Sequence, residues 1–115
     1  MRVVEVNEAD RPAYHAAAAI ASNFLITIEA AAEELAARVG VDRALLVPLV
    51  RAAVENWAAL GAERALTGPV ARGDDATVHA QRDAIEAKAP ELLELFDALV
   101  NATRRLARRR ERQPA

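Results

Sequence analysis

Residues 10–40 read DRPAYHAAAAIASNFLITIEAAAEELAARVG, and this stretch decides the fold class. Asp10 is placed to cap a helix, and Pro12 falls in the first turn, where proline is tolerated. Tyr14, Ala17, Ala21, Phe24 or Leu25, Ile28, Leu35 and Val39 then recur at three- and four-residue steps, which is the spacing of one helix face. Gly40 is the expected stop. The pattern predicts a single helix of nearly thirty residues, on the order of 40 Å long. In a 12.4 kDa chain, such a helix is expected to project beyond its own subdomain or to pair with a second copy.

The composition extends this reading to the whole chain. Of 115 residues, 53% are hydrophobic but only 3% aromatic, and 29 are alanine. Alanine has the highest helix propensity, and the residues that favour strands are scarce. Alanine also buries little area, so thin helix–helix contacts are expected. With no cysteine, a disulfide framework and a thiolate metal site are excluded. Four glycines without a Gly-x-Gly-x-x-Gly string exclude a dinucleotide-binding loop in this chain.

The net charge of −2 hides an asymmetry. From Arg104 onward there are six arginines and one glutamate, a local charge of +5, so the preceding residues carry −7. The acidic body argues against nucleic acid as the main partner. No apolar run approaches the ~18 residues that span a membrane. Residues 1–8 place charges where a signal peptide needs an apolar core. These features lead us to expect a cytoplasmic protein without a membrane partner.

Beyond Gly40, Asp42 is expected to cap a helix reaching Leu60, with Pro48 kinking or breaking it near Leu46. Ala62 to Leu66 adds a further turn. Residues 67–74, TGPVARGD, are the one concentrated breaker segment. A helix capped by Asp74 or Asp75 then runs to about Lys88, and Pro90 opens the last one. Its apolar stripe is Leu92, Leu93, Leu95, Phe96, Leu99, Val100, Thr103 and Leu106. Residues 1–115 are expected to be one domain. Residues 1–9, with the β-prone run Arg2 to Val6, would be a linker or strand remnant, and residues 107–115 a basic tail at the favourable end of the helix dipole.

Few residues carry chemistry. His15 and Ser22 lie seven positions apart and share one side of the long helix, with Asn23 on the adjacent face. Small alanines surround them, so a ligand or another backbone could come close. His15 and Asn23 either bond a polar substrate or clasp a neighbouring helix. Asn56, between Ala52, Ala53, Ala58 and Ala59, is open to the same two readings. Trp57 is a core or interface anchor. Thr67 and Arg72 sit in a turn that either holds an anion or is merely well capped, with Arg72 paired to Glu63 or Asp74. His79 lacks partners at metal-ligand spacing. The arginine tail is a solvated helix end or meets an anionic partner.

Several strings resemble one bacterial family. They are Tyr14-His15-Ala16-Ala17-Ala18, Ala21-Ser22-Asn23-Phe24-Leu25, Pro48-Leu49-Val50-Arg51 with Glu55-Asn56, Ala65 to Asp74, Thr77-Val78 and Pro90-Glu91-Leu92. The family comprises Rossmann-like proteins with a C-terminal domain of unknown function, related to ketopantoate reductase. The resemblance spans about Arg2 to Leu106, and residues 66–74 are its most specific part. It implies an all-α bundle like the 6-phosphogluconate dehydrogenase C-terminal domain, with one long N-terminal helix.

The family places a Rossmann domain before this one, and residues 1–115 are expected to be the part that follows it. The resemblance therefore implies the substrate-binding and dimerisation half of an NAD(P)-dependent oxidoreductase acting on a small 2-oxo or 2-hydroxy acid. This chain would hold no cofactor itself, NAD(P) belonging to the parent protein, and would form a homodimer through the long helix. His15 would be the proton donor. Asn23 would be its catalytic partner, orienting the substrate, while Ser22 and Asn56 would bind the substrate, with Thr67 and Arg72 closing the pocket or holding an acid group. The family's lysine-dependent mechanism cannot apply, because the long helix has no lysine. The alternative is a non-catalytic, self-associating helical module.

Overall fold

The computed structural model describes residues 5–112. Every regular element among them is helical: α1 Arg11–Ala21, α2 Asn23–Arg38, α3 Arg43–Leu60, α4 Ala62–Ala65, α5 Pro69–Arg72, α6 Asp75–Lys88 and α7 Leu93–Glu111. Single 3-10 turns, Glu8–Asp10 and Pro90–Leu92, precede α1 and α7. The all-α class and the long N-terminal helix are as expected. Most of the β-prone run, residues 2–4, lies outside the described residues. The chain divides into two compact units, Met1–Glu34 and Leu35–Ala115.

The first unit holds a helical run that begins at Glu8 and is interrupted once. At Ser22 the backbone leaves the helical basin, with φ −120° and ψ −64°. The Ser22 hydroxyl donates to the Ala18 carbonyl at 2.7 Å, and Asn23 Oδ1 lies 3.2 Å from the same hydroxyl oxygen. A hydroxyl that bonds back to the i−4 carbonyl competes with the main-chain ladder and bends a helix. The Asp10 side chain makes no cap bond, because the preceding 3-10 turn already draws its backbone into the helical region.

One expectation is corrected here. The run Glu8–Arg38 contains an 18-residue window of mean hydropathy 1.3 with no more than two charges, so it is long and apolar enough to cross a membrane. Alanine scores as apolar at position after position without supplying bulk.

The second unit begins with the end of α2. Val41 N–H donates to the Ala36 carbonyl at 2.9 Å and Gly40 N–H to Ala37 at 3.2 Å, while Gly40 takes φ +77°. This is the paired closure that a left-handed glycine permits. Helix α3 then runs unbroken through Pro48. The break expected near Leu46 is absent. Proline forfeits only the bond to the Ala44 carbonyl, and both residues are exposed, so water can replace it.

Helices α4 and α5 pack on α7, α5 on α6, and α6 on α7. Among the described residues the buried core is Ala36, Val78, Ile85, Ala89, Val100 and Ala107. Half of it is alanine, which is the thin packing the composition foretells. Arginine side chains tie the unit together. Arg38 donates to the Lys88 carbonyl at 2.6 Å and to Glu91 at 2.9 Å. Arg82 grips Asp97 with two bonds of 2.9 and 2.8 Å. Arg109 reaches Glu63 at 3.1 Å and Arg110 the Leu66 carbonyl at 2.6 Å. The basic end is thus helical to Glu111 and partly anchored, rather than only a solvated tail.

Candidate functional site

In the first unit, α1 carries His15 at an exposed position, with its ring 6.0 Å from that of Tyr14 at 51°. Ser22 and Asn23 meet at the helix break, where the hydroxyl lies 3.2 Å from the amide oxygen. The break therefore brings these two together. No bond links His15 to either of them among the described residues. Along the same run, Tyr14, Ile20 and Phe24 are 47%, 62% and 54% exposed.

In the second unit, Asn56 is exposed midway along an apolar stripe of α3. Leu45, Leu49, Ala52, Ala53, Trp57 and Leu60 share that side by helical spacing, and every residue from 51 to 60 is exposed. Trp57 is therefore not a core anchor. Thr67 is exposed in the link between α4 and α5, and Arg72 is exposed at the end of α5.

The turn that follows α5 is tightly built. Gly73 is left-handed, Asp74 N–H donates to the Pro69 carbonyl at 2.9 Å, and Asp74 is the cap of α6. Its carboxylate accepts from Thr77 Oγ1 at 2.7 Å and Thr77 N–H at 3.2 Å. These hydrogen bonds, assisted by the nearby Arg72 charge, hold the Asp74 carboxyl below its ordinary range. Of its two anticipated partners Arg72 comes within 4.0 Å of Asp74, while Glu63 pairs with Arg109 instead. The Arg82 guanidinium likewise lowers the Asp97 carboxyl, and Asp97 raises Arg82.

Sequence reasoning missed one grouping. Arg72 shares the lining of a hollow of about 250 Å³ with Arg104 and Arg108 of α7. Arg104 and Arg108 are one turn apart, but nothing in the sequence links them to Arg72. A second hollow of about 290 Å³ is lined by His79, Arg82, Asp97 and Arg104. Among the described residues no three His, Asp or Glu side chains converge as a metal site would require.

All six residues singled out from the sequence, His15, Ser22, Asn23, Asn56, Thr67 and Arg72, are open to solvent. A small-molecule pocket normally encloses most of its ligand. These residues therefore line surface that further walls would have to close.

The fold is that of an all-α helical domain whose polar candidates lie on open faces. The chain matches the family described as a domain of unknown function (DUF2520) over residues 1–103, and it belongs to that family. No curated protein matches it. Among solved structures, the chain is similar to a crystal structure from Bacteroides fragilis, that of a protein named as a putative NADP oxidoreductase. The TM-score is 0.79 at 24% identity, with 90% of this chain and 40% of that one covered. The chain thus spans two fifths of that neighbour's length, and at this identity the likeness establishes the fold.

Proposed function

We propose that the chain is the substrate-binding and dimerisation domain of an NADP-dependent oxidoreductase related to ketopantoate reductase and to 6-phosphogluconate dehydrogenase C-terminal domains. The observation that carries this reading is the fold shared with a protein named as a putative NADP oxidoreductase, 40% of which this chain covers. The open surface of α1 and of residues 51–60 supports it, because a domain that works against another part needs such faces.

The residues present do not themselves fit a dinucleotide. The four glycines all take positive φ at helix ends, and none forms a strand-to-helix cradle for a pyrophosphate. In our reading NADP is held by a nucleotide-binding domain outside this chain, and the parent's substrate is a small 2-oxo acid.

The chain's own residues then divide the work as follows. His15 supplies the proton to the carbonyl oxygen as it gains negative charge; imidazole is the side-chain type that exchanges protons near neutral pH. Asn23, with Ser22 beside its amide oxygen, and Asn56 orient the substrate by hydrogen bonds. Thr67 and Arg72 hold its acid group, arginine offering a planar fork to a carboxylate. The apolar side of the long helix pairs with a second copy. We place the protein in the cytoplasm: His15, Ser22, Asn23, Thr27 and Glu29 lie along the apolar run, and burying them in lipid would be costly.

The test is NADPH oxidation in the presence of ketopantoate, by the chain alone and by the chain fused to a nucleotide-binding domain. Only the fusion is expected to turn over, and turnover by the isolated 115 residues would refute the reading. The exposed apolar stripes favour a second reading, a self-associating module without catalysis. It requires a stable dimer and, in the fusion, no activity that depends on His15 or Asn23.

A further inference from the structure

We propose that the hollow between α5 and the last turns of α7 binds the phosphoryl group of a small molecule, gripped by Arg72, Arg104 and Arg108. It needs the second unit only and does not depend on the oxidoreductase reading. Arg72 alone is shared with that reading.

The arginines of α7 fall into two kinds. Arg109 and Arg110 are committed to Glu63 and to the Leu66 carbonyl. Arg104 and Arg108 have no hydrogen bond or ion pair among the described residues, although both line the hollow. They are four positions apart, so their side chains leave one face about 6 Å apart along the axis. Between them in sequence, Ala107 is buried, and its small side chain admits α5 against α7.

Arg72, the last residue of α5 before the left-handed Gly73, lines the same hollow. Its carboxylate neighbour Asp74 stands at 4.0 Å, well beyond the 2.7–2.9 Å typical of a charge-assisted bond, and already accepts twice from Thr77. Three arginines from two elements thus line one hollow of about 250 Å³.

With Asp75 and Glu111 in the same lining, the hollow keeps a net charge of +1, which a small anion offsets. A carboxylate offers two oxygens and one charge, enough for a single fork. A phosphoryl group offers three oxygens and up to two charges, which suits several forks at once. The charge map favours a small ligand over a polymer. Asp75 and Glu111 also line the hollow, and residues 1–103 carry −7, so an extended polyanion would run onto repulsive surface.

Pyrophosphate is a suitable probe, titrated calorimetrically into the full chain at fixed salt. Saturable one-to-one binding is expected, weakened at least tenfold by Arg108→Gln and abolished by Arg104→Gln with Arg108→Gln. Arg108→Lys, which keeps the charge but not the fork, should restore part of it. Arg105→Gln, which removes the same charge outside the hollow, should leave it unchanged. Circular dichroism melts confirm that each variant is folded. Equal weakening by Arg105→Gln and Arg108→Gln would overturn the site, since binding would then be diffuse. Tighter binding of a single-stranded oligonucleotide than of pyrophosphate at the same salt would overturn it as well.

Discussion

Asp74 shows how much one residue can join. Its backbone N–H closes α5, its carboxylate caps α6 through Thr77, and it neighbours Arg72. Because the Thr77 bonds favour the charged carboxylate, its pKa is lower in the folded chain than in the unfolded one. The stabilisation is present above the ordinary carboxylate pKa near 4 and is lost as pH falls through the lower folded value. Asp97, held by Arg82, acts in the same direction. Thermal melts should therefore drop steeply below about pH 4, and less steeply in Asp74→Asn, which cannot titrate. Asp74→Ala should lower the melting temperature at pH 7 more than Asp74→Asn, because asparagine still caps. Equal melts for the two variants would show that the cap bond is not what matters.

At the scale of elements, the helix ends at Gly40 and Gly61 were legible, whereas α5, which Gly73 closes, was not, because it lies inside the breaker segment 67–74. Gly40, Gly61 and Gly73 each end a helix in a backbone region that other residues avoid. The break at Ser22 was not legible. Serine in mid-helix is ordinary, and only the geometry shows its hydroxyl drawn to the Ala18 carbonyl. Pro48 misled in the opposite sense, because its lost bond lies where water reaches it. Ser22→Ala should strengthen the helical signal at 222 nm and stabilise the chain by about 0.5 kcal/mol. An unchanged signal would place the cause of the break elsewhere. Within the core, Ile85→Ala on α6 should cost about 2–5 kcal/mol, measured by urea unfolding. A loss below 1 kcal/mol would mean that this thin core collapses around the gap.

For the molecule as a whole, the composition foretold an all-α chain with little core, and six buried residues, three of them alanine, bear this out among the described residues. The candidate polar residues could be picked out by type. Their exposure could not, since alanine-rich helices look alike in sequence whether packed or open. The grouping of Arg72 with Arg104 and Arg108 was equally hidden, because more than thirty residues separate them and no periodicity connects them. Open apolar faces on α1 and α3 support a chain that works as part of something larger. If the long helix pairs two copies, Phe24→Asp should convert a dimer into a monomer in light scattering, while Ile26→Asp, on the other side of the helix, should not.

The most direct test of the central proposal is the rate of NADPH oxidation, with a small 2-oxo acid as acceptor, by this domain joined to a nucleotide-binding domain, with and without His15→Gln. The proposal predicts turnover that falls about 10²–10⁴-fold in the variant, the usual contribution of a general acid, with the melting temperature unchanged. Undiminished turnover in His15→Gln would contradict it.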